Sequence, residues 1–411
     1  MSPTFPQLPQ SFYEETDALR RIRDAANARR VAPDAVLGAI LCRVASSTPP
    51  SVLLDLPTPS GLNFITALIG ESGDGKSKAN RVACELLPNV CELDGLPIGS
   101  GEGLVDVYLE TFIDPDSKRK LKRQKYESAY FYFDEGEILL RHRQRQDSTI
   151  EQNLRSAWSG GTIGTTNADS EKRRLLTNDS YRLALVMGLQ PTYAAQLLLD
   201  DSGGTPQRFL FVSAIDAYMP DSVASWNGTL DFKPRKGTER IPVDREIIRQ
   251  MDSNVVKRHR RIIVPDPLDT HRDLMTLKVA AFLAILDGAE GVDLEQWNRA
   301  VLVNDNSRNI RVDLLSRAQI DKRDRLDKRV DEYAYADAKK EENRRDRDLA
   351  RLVDGIGRML VNNGPLTMPI IKSRLGRDRD KFPIEDLIDA AIKANRIVRL
   401  ENNKYGSRQT S

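Results

Sequence analysis

The chain has 411 residues, enough for two or three domains and a full hydrophobic core. Its 62 Lys and Arg nearly cancel 60 Asp and Glu, leaving a net charge of +2, so the whole chain has no signature of nucleic-acid binding and any such contact must come from local patches or an oligomer's pore. Three cysteines and three histidines stand without ligand spacing, which argues against a zinc site or disulfide framework; no apolar run approaches the ~18 residues of a membrane span, and the Pro-rich start carries no export signal, so a cytoplasmic protein with no membrane partner is expected.

From about Phe12 to Ser47 the pattern predicts two helices, the second opening with Pro33 and Asp34 in its first turn. Between about Ser51 and Val212 short apolar strands alternate with helices, the mark of an α/β fold with a mostly parallel sheet. The expected strands are Leu62 to Ile69, Ala129 to Phe133, Arg182 to Leu189 and Phe209 to Ser213, with helices over Ser77 to Leu87 and Glu102 to Phe112. From Val243 to Leu315 the signal is helical, and the mixed-sign run from Asp321 to Arg351 predicts a long solvated helix. Three short helices (Leu349 to Asn362, Thr367 to Leu375, Pro383 to Ala394) and a strand pair turning at Glu401-Asn402-Asn403 suggest a winged helix. The expected divisions are a tail and helical cap over 1–50, a core over 51–242, a lid and charged linker helix over 243–345, and a winged-helix-like domain over 346–411.

The strongest local signal is Gly70-Glu71-Ser72-Gly73-Asp74-Gly75-Lys76-Ser77, a complete G-x-x-x-x-G-K-S phosphate loop between an apolar strand and a helix. Its glycines let backbone N–H groups turn toward phosphates, and the helix N-terminus adds its positive end. Lys76 is expected on the β- and γ-phosphates and the Ser77 hydroxyl on Mg²⁺, which makes ATP and Mg²⁺ the expected ligands. Tyr130-Phe131-Tyr132-Phe133 reads as a buried strand that delivers Asp134 as the Mg²⁺ carboxylate and Glu135 as the group that polarises water. Glu102 is the rival base if the sheet is RecA-like; otherwise it is an acidic residue in a helix's first turn. Gln190, after an apolar strand, is placed to read a γ-phosphate, and Arg208 to neutralise transition-state charge in cis or from a neighbouring subunit. Basic residues gather at Lys172-Arg173-Arg174, behind the small flexible stretch from Ser159 to Asn167, at Lys118 to Lys125, and at Arg141, Arg143 and Arg145; the first group is the expected DNA contact.

Together, Pro33-Asp34-Ala35-Val36-Leu37-Gly38, the phosphate loop, Phe133-Asp134-Glu135-Gly136, Gly188-Leu189-Gln190-Pro191 and Gln207-Arg208-Phe209-Leu210 resemble a family of P-loop ATPases from phages, plasmids and integrated islands that carry a domain of unknown function and are often fused to or beside primases. The resemblance covers roughly residues 12–315. It implies a P-loop NTPase core of superfamily 3, AAA+ or RecA-like type and a replication-linked helicase, a hexameric ring acting on single-stranded or forked DNA with a primase or other replication partner. No primase acidic cluster precedes the core, so priming by this polypeptide is not expected, and the tail lies outside the resemblance. A slowly hydrolysing P-loop switch, acting as a loader or defence component with a protein-binding tail, is the alternative; a small-molecule kinase is disfavoured by Asp134-Glu135. The third tail helix carries Glu385, Asp386 and Asp389 against Lys393, a poor balance for a recognition helix.

Overall fold

The computed structural model describes residues 5–116, 118–134, 136, 149–167, 169–199, 204–222, 225–226, 228–235, 240–264, 266–378 and 380–408. Four largely apolar runs, β1 (Phe64–Ile69), β3 (Ser128–Phe133), β4 (Arg182–Leu189) and β5 (Leu210–Ser213), form strands together with the short β2 (Leu93–Leu96). They pair in a wholly parallel sheet of order β5-β1-β4-β3-β2, so the phosphate-loop strand β1 and the Asp134 strand β3 are separated by β4. Every residue of β1, β4 and β5 is buried, as expected when both faces of a parallel sheet are covered. In register, Ile69 lies beside Leu189 and Ser213, which brings the C-terminal ends of β1, β4 and β5 to one level.

The helices are α1 (Asp17–Ala28), α2 (Pro33–Ser47), α3 (Lys76–Leu86), α4 (Gly101–Asp106), α5 (Ile150–Trp158), α6 (Pro191–Leu199), α7 (Arg245–His259), α8 (Arg272–Leu286), α9 (Leu294–Asn363), α10 (Met368–Arg374) and α11 (Ile384–Lys393). None is long and apolar enough to cross a membrane. The chain divides into two compact units, 1–319 and 320–411.

In the first unit α2 is not an outlying cap. Residues 33–46 are all buried, and α2 lies on the sheet so closely that a Cβ on Gly38 would sit 2.8 Å from Thr66 Cγ2 and 2.9 Å from Val212 Cγ2. Its apolar residues run all round the helix, which is the pattern of a core helix. Buried Arg43 ties α2 to the rest: it donates two 2.9 Å bonds to Asp94 on β2 and one of 2.6 Å to the Leu87 carbonyl, and its guanidinium covers the Tyr130 ring at 4.9 Å. Arg182, at the start of β4, donates to the carbonyls of Thr48, Pro49 and Val52 beyond the end of α2, and burial brings its pKa down to about 10. Beside α2, α8 packs Phe282 edge-on to Phe64, ring centroids 4.9 Å apart. Lys278 of α8 is fully buried on the carbonyls of Asn63 (2.9 Å) and Trp158 (2.5 Å), with burial pushing its pKa far down.

Three local expectations change. The helix expected over Glu102 to Phe112 is only Gly101–Asp106; Leu109–Ile113 instead pairs antiparallel with Lys120–Gln124, because its alternating β-branched and aromatic residues suit a hairpin better than a helix. The strand β2, short and broken by Gly95 at φ 80°, gave no clear sequence signal. The stretch behind Ser159 is a small hairpin, Ile163–Thr165 with Arg174–Leu176, rather than an open loop.

The helical reading after Val243 holds through α7, α8 and the first part of α9, and residues 319–347 of α9 are exposed throughout, as their mixed charge requires. The second unit assembles the last turns of α9, α10, α11 and an antiparallel sheet of order β6-β8-β7 from β6 (Leu366–Thr367), β7 (Ile397–Arg399) and β8 (Lys404–Ser407). Ile356, Ile371, Leu387, Ala391, Ile397 and Tyr405 form its core. Strand β6 is an addition to the expected three helices and hairpin.

Candidate functional site

The C-terminal ends of β1, β3 and β4 open onto one cleft of about 620 Å³, lined by Ser72, Gly73, Gly75, Lys76, Ser77, Lys78, Arg81, Asp134, Gly136, Gly188 and Gln190. The loop turns into α3 through Gly73 and Gly75, at φ 96° and 86°, a region that L side chains rarely occupy. Gly75 caps α3, so the first N–H groups of an eleven-residue helix face the cleft. Asp74 braces the loop by accepting from the Glu71 N–H at 2.7 Å.

Buried Lys76 spans the loop, its Nζ 2.6 Å from the Gly70 carbonyl and 2.7 Å from that of Glu71. One residue on, Ser77 Oγ lies 2.7 and 2.8 Å from the two carboxylate oxygens of Asp134, and the Tyr132 hydroxyl donates to the same carboxylate at 2.8 Å. Burial, reinforced by the bond to Asp134, raises the pKa of Tyr132, so the phenol remains a donor. The approach between β3 and β4 is tight: a Cβ on Gly188 would meet the Asp134 carbonyl at 2.7 Å and Lys76 Cε at 3.5 Å. Tyr130 bonds Asn80, which fixes α3 against β3.

The sheet thus brings Lys76, Ser77, Asp134 and Gln190 to one place. The cleft carries three described cations, Lys76, Lys78 and Arg81, against one carboxylate, a balance that draws polyanions. For Mg²⁺, one hydroxyl and one carboxylate in contact are a fitting protein share, since that ion keeps waters and phosphate oxygens as its other ligands. Among the described residues no group of three His, Cys, Asp or Glu side chains gathers. Arg81 and Tyr132 were not singled out from the sequence. The four-residue step from Ser77 to Arg81 on one helix face was the available signal for the first.

Other expected residues lie elsewhere. Glu135, Arg141, Arg143 and Arg145 fall outside the described residues. Glu102 sits in the first turn of α4, capped by Ser100, with Arg174 3.8 Å away, and does not line the cleft. Arg208 is at the other end of the sheet. It precedes β5, whose last residue reaches the level of Ile69, so about five residues of strand, roughly 16 Å, separate it from the phosphate loop. There it donates to the Gly204 carbonyl and stands 5.9 Å from the Trp158 ring, which corrects a role in cis. Lys172 and Arg173 are exposed, Lys172 with Asp169 3.8 Å away, whereas Arg174 is held by Asp106 at 3.0 Å, so the triplet presents less outward charge than its sequence suggests. In the Lys118 to Lys125 run, Lys122 pairs with Asp106, and Arg123 and Lys125 with Glu110, which leaves less positive charge than the sequence suggests.

No protein-family model matches the chain, and no relative appears among the curated proteins.

Proposed function

We propose that the chain is an ATP-hydrolysing motor acting on DNA, built as a P-loop NTPase core with a winged-helix tail and working as a ring of identical subunits in the replication of a mobile element. The observation that carries the reading is the convergence, in one electropositive cleft, of Lys76, the Ser77–Asp134 pair and Gln190 from three neighbouring parallel strands and the helix that follows the first.

In this reading the loop amides and Lys76 bind the phosphates, the N-terminus of α3 adds its dipole, and Asp134 is oriented by Tyr132. Ser77 and Asp134 would hold Mg²⁺, which would supply charge neutralisation on the phosphates. Gln190, at the end of the strand between β1 and β3, lines the cleft and on this reading would sense the γ-phosphate, and Glu135, next after Asp134 in sequence, would polarise the attacking water. The exposed Lys172 and Arg173 track the DNA backbone.

The test is ATP turnover with and without single-stranded DNA, together with mass measurement in a slowly hydrolysed ATP analogue. A motor gives DNA-stimulated turnover and a ring-sized mass. Unstimulated turnover by a monomer removes the motor and leaves the switch. Glu135→Gln should slow hydrolysis about 10²-fold or more with binding kept, while Glu102→Gln stays near wild type; the reverse pattern moves the base to Glu102.

A further inference from the structure

The C-terminal unit has a cleft of its own, about 400 Å³, between the last turns of α9, the end of α11 and strand β8. Three arginines line it: Arg358 from α9, Arg396 after α11 and Arg408 after β8. Its one carboxylate, Asp354, bonds Arg396 at 2.9 Å, so the lining retains an excess of two positive charges. Arg408 is positioned by Asn395 and by its own N–H on the Arg396 carbonyl at 3.2 Å. Arg358 donates from Nε to the Asp354 carbonyl at 3.4 Å, and among the described residues no carboxylate pairs with Arg358 or Arg408.

Guanidinium groups converging on an open, polar cleft match the planar, bidentate demand of phosphate oxygens. The helix that a winged helix would place in a DNA groove is unsuited to that task, because the first turns of α11 expose Glu385, Asp386 and Asp389. We propose that the Arg358–Arg396–Arg408 cleft is a phosphodiester-binding site by which this unit holds nucleic-acid backbone. The site reads no sequence; it positions the strand. It deepens the DNA part of the proposed function and is independent of the nucleotide cleft.

The test uses the full chain and fluorescein-labelled 25-mer DNA, duplex and single-stranded, titrated at several salt concentrations. Changing Arg358, Arg396 and Arg408 together to Gln should weaken binding at least ~10-fold at 100 mM salt and make the slope of log affinity against log salt shallower by about 2 to 3. Because Arg396 also pairs with Asp354, Arg358→Gln alone is the control for folding: it should keep the melting temperature and lose about 1 in slope. Unchanged affinity and slope in both variants overturn the proposal and leave an acidic protein partner for this face. If inorganic phosphate or free nucleotide loses binding at this cleft in the variants while DNA does not, the ligand is a free phosphate ester and the nucleic-acid assignment is equally overturned. ATP binding at the phosphate loop should be the same in every variant, so failure of that site shows separately.

Discussion

Asp34 is a carboxylate almost wholly inside the protein, accepting from the Leu8 N–H at 3.0 Å, the Tyr13 hydroxyl at 2.7 Å and Asn306 at 3.2 Å, and thereby pinning the N-terminal segment. Burial raises its pKa from 3.8 to about 6, with nearby Asp216 adding to the rise and its three donors opposing it. A folded-state pKa above the unfolded one means that the fold favours the protonated acid. That contribution is fully present below about pH 4 and is lost as pH rises through about 6, for a total of about 3 kcal/mol. Asn at this position does not titrate, so the stability difference between wild type and Asp34→Asn, measured by urea unfolding, should shift against wild type between pH 4 and pH 7; a pH-independent difference contradicts the assignment. Nothing in the sequence around Asp34 announces a buried acid beyond its first-turn position. By contrast Lys76, Ser77, Asp134 and Gln190 were legible one by one, because parallel strands deliver the residues at their C-terminal ends to a common edge. Arg208 was read as preceding its strand, and the parallel register puts that end of the strand far from the phosphate loop, which argues against the role in cis and leaves the role from a neighbouring subunit.

At the scale of elements, α2 shows what pattern reveals and what it hides. Its Pro33-Asp34 first turn marked a helix, but only the structure shows that the helix is buried and that Gly38 lets it rest on β1 and β5. Gly38→Ala removes a helix-destabilising glycine, worth about 1 kcal/mol in a free helix, yet drives a Cβ into Thr66 and Val212, two β-branched side chains that have little room to rotate. The clash should win, with a net loss of about 1 to 3 kcal/mol in unfolding free energy; a stabilised variant would show that α2 is free to shift. Leu109–Ile113 was misread for a related reason, since its partner strand arrives only after an intervening turn and helix periodicity fits the run when it is viewed alone. The exposed middle of α9 was legible because mixed charges at helical spacing need no partner, whereas the separate helix expected over Leu349 to Asn362 is the end of one helix that runs Leu294–Asn363.

For the whole molecule, the distance between Arg208 and the phosphate loop separates two accounts of that arginine. If it completes the site of a neighbouring subunit, Arg208→Ala and Lys76→Ala are each inactive, and their mixture regains part of the hydrolysis once subunits exchange, because some interfaces then pair an intact loop with an intact arginine. Absence of rescue, with exchange demonstrated, makes Arg208 a structural residue beside Trp158. The fold class followed from alternating strands and helices, while the strand order and the edge strand β2 did not, because pairing depends on tertiary packing that no local run encodes. The central claim is that the cleft at the ends of β1, β3 and β4 binds and hydrolyses ATP. Its most direct measurement is ATP binding and turnover by wild type and Lys76→Ala. Wild type should bind and turn over ATP, and Lys76→Ala should lose turnover and bind more weakly by about 1.5 to 3 kcal/mol, the worth of a hydrogen bond to a charged group. Turnover in Lys76→Ala equal to wild type, or no binding by either protein, would contradict the claim.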